Sequence, residues 1–160
     1  MKLLLIDDEQ AIIESLKQSL EPTGYKLVTF VDPLEGVAAY KNDHFDVVII
    51  DLLMPNMNGI EVLRTFRNHN PKSYVIILTG YANVDKTIEA VNNGAYAFFR
   101  KPFDYKVFIN TLFKIEEKLQ IENKKQIYYK QLVIELENFK KTFQKIQNIN
   151  KKLYYEQIKI

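Results

Sequence analysis

The side chains with the clearest chemical potential in this sequence are acidic, hydroxyl and amine groups that follow short apolar runs. Asp7 and Asp8 come directly after the first run, and Asp51, Thr79 and Lys101 come after three later runs. Carboxylates that folding brings close together repel one another unless a cation joins them. Oxygen ligands without histidine or cysteine favour a hard ion, so we predict an Mg²⁺ site at the three aspartates.

A carboxylate beside Mg²⁺ has the chemistry of a nucleophile toward a phosphoryl group. We therefore predict that Asp51 accepts the phosphoryl group, while Lys101 contacts one phosphoryl oxygen and the hydroxyl of Thr79 contacts another. Taken singly, each residue has a simpler role, because residues 7–9 could cap a helix and the others could lie in turns or on the surface. Their joint position at four strand ends favours the chemical role.

The elements that must position these groups are strands of a parallel, doubly wound α/β sheet. Up to Pro102, short apolar runs alternate with amphipathic stretches, which is the pattern of that fold class. Five runs are predicted to be strands, at residues 2–6, 26–30, 47–50, 74–78 and 97–99. Functional groups of such a sheet gather at the carboxyl ends of its strands, so the predicted site lies at one edge.

Composition limits the other classes of function. The chain has 160 residues and no cysteine, which excludes disulfides and thiolate metal sites. The N-terminal apolar run stops at Asp7, too early for a secretory signal, and no apolar run is long enough to cross a membrane. We therefore expect a cytoplasmic protein without a membrane partner.

The sequence from Asp104 onward is predicted to be one long helix, because it contains no glycine and no proline. Asp104 is its predicted N-cap. The first turns, with Val107, Phe108, Leu112 and Ile115, are expected to cover the sheet as a fifth helix. We accordingly expect one domain over residues 1–120 and a coiled-coil helix over residues 121–160.

A heptad repeat in the last part of the chain predicts a parallel homodimer through residues 129–160. Its a and d positions are Tyr129, Leu132, Leu136, Phe139, Phe143, Ile146, Asn150, Leu153, Gln157 and Ile160. A single Asn at an a position, here Asn150, is typical of a parallel pair, and Glu135 at g can pair with Lys140 at the following e. The alternative is an amphipathic helix that folds back on its own domain or packs on another molecule.

Four segments together resemble the receiver domain of bacterial two-component response regulators: residues 7–8, 51–59, 79–82 and 101–103. The resemblance covers about residues 1–120. It implies a flavodoxin-like sheet with strand order 2-1-3-4-5, and a phosphoryl group transferred to Asp51 from a sensor histidine kinase or a phosphotransfer protein. It also implies that the Leu53 carbonyl joins Asp7, Asp8 and Asp51 around Mg²⁺.

The same resemblance assigns roles to residues around the acceptor. Thr79 is expected to move toward the phosphoryl group, and Phe98 to swing inward behind it as a switch. Leu53 and Tyr81 are expected to overhang the phosphoryl group and to control access of water, and their apolar and bulky side chains suggest a long-lived phosphorylated state. The bond before Pro102 is expected to be cis, as in the family.

Other functions remain open at this stage. The domain could be a pseudo-receiver that serves only as a dimerisation scaffold, or the N-terminal fragment of a larger regulator whose output domain is missing. An aspartate-nucleophile phosphohydrolase is disfavoured, because such enzymes usually carry a second aspartate where Leu53 stands. We expect no nucleic-acid binding through this chain, since the sequence shows neither a helix-turn-helix pattern nor a clustered basic region.

Overall fold

The computed structural model describes residues 1–55, 57–80 and 84–157. The strands are β1 (Lys2–Ile6), β2 (Lys26–Phe30), β3 (Val47–Asp51), β4 (Leu53–Met54), β5 (Met57–Asn58), β6 (Tyr74–Thr79) and β7 (Ala97–Arg100). The helices are α1 (Gln10–Leu20), α2 (Pro33–Asn42), α3 (Gly59–His69), α4 (Val84–Asn92) and α5 (Tyr105–Gln157), with a 3₁₀ helix at Glu21–Thr23.

The main sheet has five parallel strands in the order β2-β1-β3-β6-β7. This is the predicted order 2-1-3-4-5, with the five long strands numbered along the chain, so the fold class is confirmed. The central strand β3 is buried along its whole length, as a strand covered by helices on both faces must be. The strands β4 and β5 form a separate antiparallel hairpin.

The core consists of apolar side chains from the sheet and from one stripe of each covering helix. Ile13, Leu16 and Leu20 of α1 are buried, and so are Phe108, Leu112 and Ile115 in the first turns of α5. Val107, which is predicted on that buried face of α5, is 53% exposed. The buried positions follow the spacing of four and three residues from Phe108, and Val107 lies beside this stripe.

The base of α5 is fastened to the domain by polar contacts as well as by its apolar stripe. The Asp104 side chain accepts a hydrogen bond from the Lys106 backbone N–H at 2.7 Å, which confirms the predicted N-cap. The hydroxyl of Tyr25 donates to Glu116 Oε2 at 2.8 Å. Burial, together with this carboxylate, raises the pKa of Tyr25 above its ordinary value.

The chain divides into two compact units, the first spanning Met1–Glu116 and the second beginning at Glu117. In the second unit, each residue from 121 to 156 is helical and exposed to solvent in the single chain. Among the described residues, no helix combines the length and the apolar character needed to span a membrane.

Candidate functional site

The carboxyl ends of four parallel strands bring the predicted site residues to one edge of the sheet. Asp51 ends β3 and Thr79 ends β6, while Asp7 follows β1 and Lys101 follows β7. Asp7 and Thr79 are fully buried, and Asp51 is 4% exposed. The backbone N–H of Lys101 donates to the Thr79 carbonyl at 2.7 Å, so the sheet spacing is maintained up to the site.

The ammonium group of Lys101 lies among three carboxylates. Its Nζ is 2.8 Å from Asp51 Oδ2, 2.8 Å from Asp7 Oδ2 and 2.9 Å from Glu9 Oε1. Burial by itself lowers the pKa of Lys101, but its contacts with the carboxylates of Asp51, Asp7 and Glu9 outweigh burial and raise the pKa. Lys101 is therefore a fixed positive charge beside the predicted acceptor.

The acidic cluster of Asp7, Asp8 and Asp51 has the composition of a hard-cation site. Each residue offers a carboxylate oxygen, and these oxygens lie within 4.8 Å of one another. Within the described residues, Asp7 Oδ2 is buried and accepts no well-directed hydrogen bond, although Lys101 Nζ lies close to it. Burial raises the pKa of Asp7, and Lys101 only partly opposes this effect. Three carboxylate donors, one of them with a buried oxygen that accepts no well-directed hydrogen bond, fit Mg²⁺.

Both oxygens of Asp51 are oriented by the protein. Oδ2 accepts from Lys101, and Oδ1 accepts from the Leu53 backbone N–H at 3.1 Å. The carbonyl of Asp51 is packed against Gly59, where an added Cβ would lie 2.3 Å from that oxygen. The hairpin formed by β4 and β5 brings Gly59 back to this position, and Asn58 caps α3 through the Ile60 N–H at 2.9 Å.

The remaining predicted residues lie around this centre. Leu53 is 54% exposed, and Phe98 is half-buried against the apolar core, paired across the sheet with Ile77. The peptide bond between Lys101 and Pro102 is cis. Tyr81, the second predicted access residue, lies outside the described residues.

Glu9 is a site residue that the sequence pattern does not reveal. It is the N-cap residue of α1, but its side chain makes no capping hydrogen bond and contacts Lys101 instead. An acidic residue directly before a helix is ordinarily explained by its favourable interaction with the helix dipole. That explanation gives no reason to expect the contact of Glu9 with Lys101. The only signal for it in the sequence is its position next to Asp7 and Asp8.

Comparison with protein-family models matches residues 3–113 to the response regulator receiver domain. The chain is 31% identical over 122 residues to the C4-dicarboxylate transport transcriptional regulatory protein DctD of Rhizobium meliloti, an alignment that covers 75% of this chain and 26% of that protein. The chain thus spans about a quarter of the length of this curated relative.

Two solved structures show the same fold. A CheY-like response regulator receiver domain protein from Methanospirillum hungatei is 34% identical, with a TM-score of 0.68, and covers 78% of this chain and 97% of its own. The beryllofluoride-activated NtrC4 receiver domain dimer is 33% identical, with a TM-score of 0.70, and covers 73% of this chain and 97% of its own.

Proposed function

This chain belongs to the receiver domains of response regulators, and from that membership we propose that Asp51 accepts a phosphoryl group from a sensor histidine kinase or a phosphotransfer protein. The observation that supports this proposal most directly is the contact of 2.8 Å between Lys101 Nζ and Asp51 Oδ2, beside the Asp7 and Asp8 carboxylates. A nucleophile, a fixed cation and a metal-binding acid cluster are the components that aspartyl phosphorylation requires.

The proposed transfer exchanges one bond to phosphorus for another. A carboxylate oxygen of Asp51 forms a bond to phosphorus as the bond to the donor histidine nitrogen breaks, which leaves an acyl phosphate and a free histidine. Lys101 and the Thr79 hydroxyl contact phosphoryl oxygens during this step. Mg²⁺, held by Asp7, Asp8, Asp51 and the Leu53 carbonyl, would supply positive charge against the negative charge of the phosphoryl group.

The phosphorylated state is proposed to be long-lived. Loss of the phosphoryl group requires a water molecule to attack phosphorus, which releases inorganic phosphate and restores the Asp51 carboxylate. Leu53 stands two residues after the proposed acceptor, and its exposed apolar side chain is proposed to restrict the approach of water. Tyr81 is proposed to act with it.

The signal is proposed to leave the site through Thr79 and Phe98 and to reach a parallel homodimer formed by residues 129–160. The apolar side chains at the a and d positions support the dimer, since Leu136, Phe139 and Phe143 are each at least half exposed in the single chain. Such a continuous apolar stripe is stabilised when a second helix covers it. Phosphorylation would then change the pairing or rotation of the two helices.

The acceptor is tested by incubating the full chain with acetyl phosphate and Mg²⁺ and measuring its intact mass. Wild type should gain one phosphoryl group, and Asp51→Asn should gain none. The control Glu35→Gln removes an exposed carboxylate on α2 and should behave as wild type. Equal phosphorylation of wild type and Asp51→Asn would contradict the assignment.

The same sample tests the lifetime of the phosphorylated state. After the donor is removed, the added mass should persist for minutes or longer without a phosphatase. Loss of the phosphoryl group within seconds would show that Leu53 and Tyr81 do not restrict water.

A further inference from the structure

Glu9 contacts the predicted catalytic lysine and has no other assigned role in this site. Its Oε1 lies 2.9 Å from Lys101 Nζ, and its side chain is 57% exposed at the mouth of the site. Among the described residues, the acid cluster able to hold a metal ion comprises Asp7, Asp8 and Asp51, without Glu9.

The three carboxylates around Lys101 differ in what the proposed reaction does to them. An ammonium group has three N–H donors, and Asp51, Asp7 and Glu9 all lie within 2.9 Å of it. Phosphorylation converts Asp51 from a carboxylate into an acyl phosphate, and Mg²⁺ would engage Asp7. Of these three described partners, Glu9 is the one that would remain a free carboxylate beside Lys101 after Asp51 is phosphorylated and Mg²⁺ is bound.

We propose that Glu9 is a positioning residue, which draws the Lys101 ammonium toward the mouth of the site and keeps it aimed at the incoming phosphoryl group. This proposal rests on the proposed function of Asp51 as acceptor. Without Glu9, the lysine would be shared between Asp7 and Asp51 alone. It would compete more strongly with Mg²⁺ for both carboxylates, and it would be held less firmly where a phosphoryl oxygen arrives.

The contact and the charge of Glu9 can be separated by two substitutions. Glu9→Gln removes the negative charge, whereas Glu9→Asp keeps the charge but withdraws it from Lys101 by one methylene group. If the contact positions the lysine, both variants should weaken binding of Mg²⁺ and of beryllofluoride by roughly two- to fivefold, the range for a partly exposed ion pair. Glu14→Gln on α1 removes an equal charge at an exposed position and should change neither affinity.

The experiment is calorimetric titration of the full chain with Mg²⁺ alone, and then with beryllofluoride at saturating Mg²⁺. A double-mutant cycle tests whether Glu9 acts through Lys101. In a Lys101→Met background, Glu9→Asp should have no further effect on Mg²⁺ affinity, whereas a general structural effect of Glu9 would persist there. Circular dichroism confirms that each variant is folded.

Each outcome decides the proposal. If both Glu9 variants bound Mg²⁺ and beryllofluoride with wild-type affinity, the proposal would be overturned. It would also be overturned if Glu9→Gln weakened binding and Glu9→Asp did not, because the negative charge alone, without the contact to Lys101, would then explain the effect. An unchanged effect of Glu9→Asp in the Lys101→Met background would overturn it as well. Failure of wild type itself to bind beryllofluoride or to be phosphorylated at Asp51 would instead refute the proposed function.

Discussion

The buried carboxyl group of Asp7 makes an unfavourable contribution to the folded state when it is ionised. Its pKa is raised because burial penalises the charged form more than Lys101 stabilises it. A carboxyl with a raised pKa in the folded state contributes stability below its ordinary pKa, and that contribution is lost as the pH rises through the folded value. At neutral pH without a metal ion, ionised Asp7 therefore destabilises the domain.

Asp7→Asn should raise the melting temperature in EDTA at neutral pH. The substitution removes the buried charge and keeps an oxygen that can accept the hydrogen bond that Asp7 Oδ1 receives from the Glu9 N–H. Its advantage over wild type should shrink as the pH is lowered, since Asp7 of wild type then becomes protonated. Mg²⁺ should raise the melting temperature of wild type and leave that of the variant unchanged.

Thermal unfolding followed by circular dichroism measures these effects. For the measurements in EDTA the control is Asp8→Asn, because Asp8 is exposed and its removal relieves less desolvation. A lower melting temperature for Asp7→Asn than for wild type in EDTA would contradict this account of Asp7.

Gly59→Ala should destabilise the domain by roughly 1–3 kcal/mol, because the new methyl group has no space. Its Cβ would lie 2.3 Å from the Asp51 carbonyl oxygen and 2.7 Å from Leu52 Cα, and both are backbone atoms that cannot rotate away. Phosphorylation of Asp51 should fall as well, since the backbone that carries the acceptor must shift. Urea unfolding and the intact-mass assay measure the two effects.

The matched control is Gly80→Ala, used for stability only. No atom of the described structure lies within 4 Å of a Cβ at Gly80, apart from its chain neighbours, and its φ is not in the left-handed region. It should therefore unfold close to wild type. Equal loss of stability in both variants would show that crowding at Asp51 is not the cause.

At the scale of secondary-structure elements, apolar periodicity predicts all five strands of the main sheet, and the family resemblance predicts their order. The predicted strands at β3, β6 and β7 each end one residue too early. The last residues of these strands are polar, yet they continue the hydrogen-bonded ladder: Asp51, Thr79 and Arg100. Thr79 is paired with Arg100. The hairpin of β4 and β5 escapes prediction, since strands of two residues have no period. The sequence pattern also does not explain why position 59 is glycine. The reason is the close contact of Gly59 with the Asp51 carbonyl oxygen at the end of β3.

The contact between Tyr25 and Glu116 should make a measurable contribution to the attachment of α5. Tyr25→Phe keeps the edge-on packing of the ring against Phe113 and removes the hydroxyl that donates to Glu116 Oε2. We expect a loss of about 1 kcal/mol in the free energy of unfolding, the usual net value of one hydrogen bond. Urea denaturation followed by circular dichroism measures it.

Tyr128→Phe is the control for this substitution, because Tyr128 is 63% exposed and lies farther along the same helix. It should leave the stability unchanged. If Tyr25→Phe were also neutral, the hydrogen bond to Glu116 would add nothing to the anchoring of α5.

At the scale of the whole molecule, the proposed pairing of two chains through residues 129–160 can be tested directly. Leu136→Glu places a charge at an a position of the heptad and should convert a wild-type dimer into a monomer in sedimentation-velocity ultracentrifugation. Lys141→Glu changes charge at an f position, which faces solvent in a two-stranded coil, and should leave the dimer intact. A monomeric wild type, or equal behaviour of the two variants, would exclude the proposed pairing.

The same measurement with beryllofluoride and Mg²⁺ tests the link between the two units. The sedimentation coefficient or the dimer fraction of wild type should change when the phosphoryl mimic is added. The same quantities should not change for Asp51→Asn. An identical response in both proteins would separate the coil from the acceptor site.

The contacts of Lys101 also bear on the folded domain in the absence of magnesium. Clustered carboxylates at the edge of a sheet would ordinarily oppose closure of the strands until an ion from solution arrived. Here Lys101 directly follows β7, the last strand of the sheet, and its ammonium group lies among those carboxylates. The domain therefore carries its own counter-ion, which offsets part of the repulsion among these carboxylates when magnesium is absent.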